Sequence, residues 1–488
     1  MKKYTSKEEV HNLAKKIEGI PFKDLAKKYN FDLKNNKNSV GDLFEAYFEK
    51  PKDSASEPDL GVVELKATPY KKLKRGDKYS AKERLVLNII NYDELLKEDF
   101  EHSHFLHKNS VIELAFYQYF KDKPKEDWNF SNVVLYEMKK DSNDFAIIKH
   151  DWEVIYDYVN KGNADKLSES LTDYLAACTK GKNKNSTRKQ PHSDKPAKQR
   201  AFSLKQKFMT HILRDYVLGD KPTEAIIKDP IELQSKGLRS IIKEKFEPYI
   251  DMTTEGIAKR VGINTNGKQI PKGFNNILVR RMLGLASGNS LENIDEIEKG
   301  SFIMKTIQFD KNGRNKESMS FPKFDYKDLV SQIWVDDDGE PSADLNVMFR
   351  ESTFIFLVFQ YNEKGKDIFK GVKFYRIPLE EINGPIKQVW EETKQCLSKG
   401  LKLTYSKNRI YNNLPGKSEG KIIHVRPHSR QSSYIDNAFS SELPTPASWT
   451  NPNDLDTVKY PKTVKYMTSS CFWLNNDYIK KVVVDLLN

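Results

Sequence analysis

The segment Ile148-Lys149-His150-Asp151-Trp152-Glu153 returns as Ile386-Lys387-Gln388-Val389-Trp390-Glu391, with four identities at the same spacing, 238 residues further on. A chain that writes one unit twice folds as two like domains, so this repeat restricts the architecture before any other feature does. Tryptophan occurs six times in 488 residues, which gives a shared tryptophan weight. The surrounding pattern repeats in order. Strand-like runs rich in aromatic and β-branched residues, Val111 to Phe120 with Val133 to Met138, precede the first copy; Thr353 to Tyr361 with Val372 to Ile377 precede the second. Leu65-Lys66-Ala67-Thr68 followed by Lys82-Glu83-Arg84 has its counterpart in Met304-Lys305-Thr306-Ile307 followed by Lys316-Glu317-Ser318. Near each end, Ala201-Phe202-Ser203-Leu204 parallels Cys471-Phe472-Trp473-Leu474, and both lead into helical spacing.

These matches predict a first domain over residues 1–216, a connector over 217–245 that holds a Gly-Asp-Lys-Pro turn and a helix, and a second domain over 246–488. Each begins helically: Val10, Leu13, Ile17, Phe22 and Leu25 stand among charges at amphipathic spacing, and a second helix near Val40 to Lys50 precedes the strands. The fold class is therefore mixed α/β.

The 81 Lys and Arg exceed the 69 Asp and Glu by 12, a balance that favours polyanionic partners, nucleic acid first. Three distant cysteines, Cys178, Cys396 and Cys471, offer neither a zinc clamp nor a disulfide framework and suit a reducing cytoplasm. The charged start and the longest apolar run, Phe354 to Phe359, predict neither export nor membrane insertion. Between Lys180 and Arg200, eight cations face only Asp194, which predicts a segment that is mobile or that orders on a polyanion.

The chemistry concentrates in Glu57-Pro58-Asp59-Leu60-Gly61-Val62-Val63-Glu64-Leu65-Lys66. Period two puts Glu64 and Lys66 on one face of an apolar strand, where charges without a role are costly. Asp59 and Glu64 provide the oxygen ligands a hard divalent cation requires, and Lys66 suits the stabilisation of charge at a reacting phosphate. Other acid-x-Lys strings, such as Asp32-Leu33-Lys34 and Glu137-Met138-Lys139, lack that apolar setting and read as surface pairs. Glu45 lies upstream, beside the apolar face traced by Val40, Leu43, Phe44 and Phe48.

Lys37-Asn38-Ser39-Val40-Gly41 with Glu45, then Asp59, then Gly61-Val62-Val63-Glu64-Leu65-Lys66-Ala67-Thr68-Pro69 resembles the active-site series of MutH, the mismatch-repair endonuclease that nicks at GATC. Over nearly its whole length the chain is similar to the GATC-specific type II restriction endonucleases of the staphylococcal type, including Lys82 to Tyr92 and Cys178-Thr179-Lys180-Gly181. It has two fewer residues than those relatives between the aspartate and Glu-Leu-Lys, so Glu57 is the alternative to Asp59. The resemblance implies two tandem MutH-like, restriction-endonuclease-like domains and Mg²⁺-dependent hydrolysis of double-stranded DNA at GATC, leaving a 5′-phosphate. The implied catalytic residues are Asp59, Glu64, Lys66 and Glu45, with Asp59, Glu64 and the Leu65 carbonyl on the metal. Lys37, Thr179, Lys180, Lys182, Lys184 and Arg188 would meet DNA, Lys180 at the guanine edge or at phosphate.

In the second copy the same alignment puts Arg280 at the place of Glu45 and Ile303 at that of Glu64, so that copy is expected to be degenerate and inactive. Lys305, Arg426, His428 and Arg430 persist there as candidate DNA contacts. One active site cuts one strand, which predicts self-association on DNA, with the second domain as a regulatory binder, in a bacterial cytoplasm. The rival readings are a strand-nicking repair endonuclease and a non-catalytic DNA-binding regulator.

Overall fold

Ser6 opens the first helix, α1 (Lys7–Ala14), by accepting the Glu9 N–H at 3.1 Å, and the helix buries Val10 and Ala14. Helices α2 (Phe22–Lys28) and α3 (Ser39–Tyr47) add Phe22, Leu25, Leu43 and Phe44 to the same core, which also takes Leu65, Ala115 and Val133 from the adjoining strands. The computed structural model describes residues 4–33, 38–50, 57–73, 78–181, 185–219, 224–265, 270, 271, 273–286, 288, 290–336, 339–417, 420–455 and 460–487. The chain divides into two compact units, Met1–Phe246 with Val279–Ile303, and Glu247–Leu278 with Met304–Asn488.

In the first unit, β1 (Glu64–Lys72) lies antiparallel to β2 (Tyr79–Ala81) and parallel to β4 (Val111–Gln118), which in turn pairs with β5 (Phe130–Glu137). The parallel β1/β4 pair sets Glu64 opposite Ile112 and Lys66 opposite Leu114. A parallel pair needs a long crossover, and here that connection holds β3 (Leu85–Ile89), α4 (Tyr92–Leu95) and α5 (His104–Asn109). After α6 (Asn143–Asn160), a second sheet is ordered β3, β9 (Arg200–Leu204), β6 (Leu175–Thr179), and the hairpin β7 (Thr187–Gln190) and β8 (Ser193–Lys198) is inserted between β6 and β9. Helix α7 (Gln206–Leu213) follows.

Helix α8 (Ile231–Phe246), which the sequence places mainly in a connector, packs on α6 within this unit. Gly237 stands in the left-handed region, φ 66°, inside α8, and a Cβ there would fall 2.4 Å from the His150 Nε2, so glycine is required for this approach. Arg239 then donates to Asp173 at 2.7 Å and to the Ser170 and Thr172 carbonyls. Residues Val279–Ile303, assigned by sequence to the second domain, pack with the first unit: the Glu296 carboxylate accepts the Ile226 and Ile227 N–H groups at 2.8 and 2.9 Å, and the Lys299 ammonium lies 2.9 Å from Asp144.

The second unit contains α9 (Thr254–Arg260), and α10 (Phe274–Met282) and α11 (Asp295–Lys299) precede its strands. One sheet is ordered β10 (Phe302–Phe309), β12 (Thr353–Tyr361), β13 (Asp367–Tyr375), and the other β11 (Met319–Lys323), β19 (Ser470–Leu474), β16 (Ile423–Pro427). Helices α12 (Tyr326–Ser331), α13 (Asp344–Glu351), the one-turn α14 (Leu379–Glu381) and α15 (Lys387–Lys399) fall between strands, and α16 (Asn476–Val483) follows β19. A third sheet joins β14 (Lys402–Ser406), β15 (Arg409–Asn412), β17 (Ser440–Trp449) and β18 (Val464–Thr468).

One small sheet in each unit shares its strand pairing residue by residue. In the first, Leu175, Ala176, Ala177, Cys178 and Thr179 of β6 face Leu204, Ser203, Phe202, Ala201 and Arg200 of β9. In the second, Ile423, His424, Val425, Arg426 and Pro427 of β16 face Leu474, Trp473, Phe472, Cys471 and Ser470 of β19 in the same register. The edge strands agree as well: Leu85 is opposite Leu204, and Met319 is opposite Leu474. The repeated tryptophans are buried on equivalent long helices, Trp152 on α6 and Trp390 on α15.

Candidate active site

The site is built at the entry to β1. A tight turn, with Gly61 N–H bonded to the Pro58 carbonyl at 2.9 Å and Leu60 N–H to that of Val63 at 3.1 Å, brings Asp59 back over the start of the strand. Gly61 takes φ 78° there, open to glycine without strain. The Asp59 Oδ2 accepts the Leu65 N–H at 3.0 Å, and the Asp59 N–H donates to the Glu64 Oε2 at 3.2 Å, so the two carboxylates are locked reciprocally through the backbone. Both are buried, at 9% and 2% exposure. Two apart on β1, the Lys66 Nζ reaches the Glu64 Oε1 at 2.6 Å.

Glu45, on α3, is half-buried near the same turn. Burial, and then the Asp59 charge, hold its carboxyl above the ordinary glutamate value, while Lys50 and Lys66 draw it down. The structure therefore brings Asp59, Glu64, Lys66 and Glu45 together. It leaves Glu57 outside: that carboxylate is exposed and takes the His107 Nε2 at 2.6 Å.

Two more lysines belong to the site and escape sequence reasoning. The Lys50 Nζ lies 3.0 Å from the Asp59 Oδ1, and the Lys108 Nζ lies 3.9 Å from the Glu64 Oε2. Their side chains are 4% and 15% exposed. Lys50 is 9 residues from Asp59 and Lys108 is 44 from Glu64, with no periodic link to either, so no local signal marked them.

Among the described residues, no three His, Cys, Asp and Glu side chains converge as a closed metal-binding group. The donor set at β1 is instead two buried carboxylates with the adjacent Leu65 carbonyl. That is an open set of hard oxygens, suited to a Mg²⁺ ion that keeps several waters. Paired carboxylates at this depth need cationic partners, and lysine ammoniums supply positive charge now.

The candidate DNA contacts fare unevenly. Lys37, Lys182 and Lys184 lie outside the described residues. Thr179 ends β6, and the exposed Lys180 follows, its N–H fixed to the Gln199 carbonyl at 2.8 Å. Arg188 is half-buried: its Nη1 donates to the Ile90 carbonyl at 2.8 Å and its guanidinium lies over the Tyr92 ring. Arg200 is buried at 4% and spends its donors on the Ala177 and Leu167 carbonyls. The expectation that this basic segment is mobile or orders on a polyanion is corrected for 187–198, which forms a hairpin. It is anchored by Gln190, which bonds the Ala164 N–H at 2.7 Å and the Lys195 carbonyl at 2.7 Å, and by buried Ala197. Polar side chains do here what an apolar core does elsewhere.

In the second unit a cleft of about 850 Å³ is lined by Lys305, Asn275, Gln308, Asp367 and Trp473, among others. The Arg426 guanidinium sits 4.3 Å from the centre of the Trp473 ring, and the His428 ring 5.2 Å from it. Arg426, His428 and Arg430 are exposed. Arg280 holds the same seventh position on nine-residue α10 that Glu45 holds on α3. It is buried and committed within the first unit to Glu224 and to the Ala286 and Ser290 carbonyls.

Comparison with known proteins bears on the same residues. A family model for the DNA mismatch repair enzyme MutH matches residues 48–151, the span from Lys50 through β1 to α6. The chain is 46% identical over 500 aligned positions, covering all of both chains, to the type II restriction enzyme Sau3AI of Staphylococcus aureus. It is 23% identical over 223 residues, 44% of this chain and 97% of the relative, to the DNA mismatch repair protein MutH of Pasteurella multocida.

Proposed function

The chain belongs to the MutH-like type II restriction endonucleases of the Sau3AI type, and on that footing we propose that it hydrolyses double-stranded DNA at GATC with Mg²⁺ as cofactor. Its enzyme class is that of a type II deoxyribonuclease. The observation that carries the finer reading is the reciprocal Asp59/Glu64 lock with Lys66 on Glu64, at the head of a strand that is mostly buried up to Tyr70.

Asp59, Glu64 and the Leu65 carbonyl would hold the metal. Bound there, Mg²⁺ would supply Lewis acidity toward the phosphate and a lowered pKa for a coordinated water. The chain's own residues do the positioning. Main-chain N–H groups fix both carboxylates, so little reorganisation is needed at the moment of reaction. The Lys66 ammonium, held on Glu64 and 22% exposed, can turn a donor toward a phosphate oxygen where negative charge accumulates. Glu45, with its raised carboxyl, tunes the charge beside Asp59. Exposed Lys180 at the end of β6 is the proposed base-edge or phosphate contact, with Thr179 beside it.

The duplication supports a second part of the proposal: residues 1–216 and 246–488 are two copies joined through 217–245, and the second copy binds DNA without cutting it. Ile303 and Arg280 replace the metal-binding Glu64 and its companion Glu45, while Lys305, Arg426, His428 and Arg430 are kept. With a single catalytic centre, breaking both strands takes two chains across the palindrome or successive nicks, and self-association of chains on DNA is the route proposed. We place this action in the bacterial cytoplasm.

Digestion of mapped plasmids with Mg²⁺, followed by sequencing of the ends, tests the reading. Ends bearing 5′-phosphates at GATC, linear product, and faster cutting of two-site than one-site circles are expected. Product that stays a nicked circle, or ends at another sequence, overturns the corresponding part.

A further inference from the structure

Lys50 has a construction that the catalytic reading does not explain. Helix α3 ends with Glu49 in the left-handed region, φ 55°, a conformation that favours glycine. That turn sends the Lys50 N–H back to the Glu45 carbonyl at 3.1 Å, beside the Glu49 N–H bond to Ala46 at 3.0 Å. The six-to-one bond and left-handed residue make a helix stop that fixes the direction in which Lys50 leaves. Its ammonium is delivered 3.0 Å from the Asp59 Oδ1, with both side chains under a tenth exposed. Its charge is also felt at Glu45.

We propose that the Lys50 ammonium is the resident counter-ion of Asp59 and that a divalent cation must displace it, so that Lys50 sets the metal affinity of the site and keeps it low until DNA arrives. The inference rests on the reading of Asp59 as a metal ligand. Charge count supports it. Among the described residues, the buried Asp59 and Glu64 carboxylates are already faced by the Lys50, Lys66 and Lys108 ammoniums without metal. Adding a dication beside carboxylates that already hold ammonium partners is unfavourable unless an ammonium leaves or an anionic phosphate enters with the metal. Lys66 is 22% exposed, whereas Lys50 is 4% exposed with its ammonium against the buried Asp59 carboxylate, so it is placed to occupy that carboxylate rather than to reach outward. By linkage, whatever factor DNA adds to metal affinity, metal adds to DNA affinity.

The test uses the full chain without DNA and Mn²⁺ alone as probe, with free Mn²⁺ read by electron paramagnetic resonance. Lys50→Met should bind Mn²⁺ about tenfold tighter than wild type, the middle of the usual coupling range. It should also melt lower without metal and gain more from added Mn²⁺. Lys50→Arg, which keeps the charge, should bind no tighter than wild type. If Lys50→Met does not melt cooperatively, Lys50→Gln takes its place. A cooperative Lys50 variant lacking the charge that binds Mn²⁺ as weakly as wild type, or more weakly, overturns the proposal. Asp59→Asn separates the two levels. If it binds as well as wild type, the metal-ligand reading itself fails; if it loses Mn²⁺ while Lys50→Met is unchanged, only the role of Lys50 fails.

Discussion

Replacing Asp151 by valine, the residue that stands at Val389 in the repeated segment, should unfold the first unit far more readily than its place among charged residues in the sequence suggests. The Asp151 carboxylate is 1% exposed and accepts three main-chain N–H groups, those of Asp173, Tyr174 and Leu175, at 2.7, 2.6 and 2.9 Å. These groups lead directly into β6, the strand that ends at Thr179 and Lys180. An orphaned buried donor costs about 1–3 kcal/mol, so three of them, partly relaxed, cost about 4 kcal/mol. Asp151→Asn keeps the volume and one acceptor oxygen and should cost about half as much. Urea unfolding followed by tryptophan fluorescence measures both. The difference should also depend on pH. Burial first, and then the neighbouring Asp173, push the Asp151 carboxyl up to about 7 against the pull of the three N–H groups. Because the folded value lies above the unfolded one, the linkage contribution is complete below about pH 4 and is lost as pH rises through about 7. The advantage of wild type over Asp151→Asn should therefore shrink between pH 5 and 8. An Asp151→Val chain within about 1 kcal/mol of wild type would refute the capping argument, and an advantage that grows with pH would refute the linkage sign.

Glu64→Ala and Lys66→Ala should each lower Mg²⁺-dependent plasmid cleavage about a thousandfold or more, the loss expected when a charge-stabilising group is removed, with DNA binding in a gel-shift assay retained. Glu57→Gln should cleave within about twofold of wild type, since its carboxylate pairs with His107 away from the site; a loss like that of Glu64→Ala would move the aspartate assignment. Arg280→Glu with Ile303→Glu should not create a second cutting centre, measured in a Glu64→Ala background. Buried Arg280 bonds Glu224 and two carbonyls, so a glutamate there faces another carboxylate and lowers the melting temperature instead.

What the sequence made legible follows from locality. Glu64 and Lys66 could be placed together because a strand's period of two needs no knowledge of the rest of the fold, and Asp59 followed from the turn beside them. The duplication was legible through rare residues, Trp152 and Trp390, and through ordered spacing. Lys50 and Lys108 were not legible, because they reach the carboxylates from a helix end and from a different segment of the crossover. The basic segment was misread for a different reason. Its order comes from buried polar side chains, Gln190 and Arg200, whose partners are main-chain carbonyls and N–H groups elsewhere in the unit. Composition cannot distinguish an arginine that serves the backbone from one that waits for phosphate.

The common register of the two small sheets sharpens what duplication means for the proposed division of labour. At equivalent places the first unit has Ala176, Cys178 and Ser203, all small and fully or nearly fully buried, and the second has His424, Arg426 and Trp473. The first unit's face is filled flat. The second raises a stack in which the Arg426 guanidinium lies on the Trp473 ring beside the cleft that holds Lys305. An arginine held on an aromatic face is preorganised and weakly hydrated, which suits tight binding to a nucleic-acid edge more than turnover. Loss of carboxylates alone would leave a weakened copy of the first unit. Loss of carboxylates with gain of this stack would instead fit the proposed copy specialised to hold DNA, and the two differ in a measurable way. Trp473→Ser with Arg426→Cys, which restores the first unit's residues, should weaken metal-independent DNA binding by the full chain by about tenfold or more. If binding is unchanged, the stack is packing and the second copy is simply decayed.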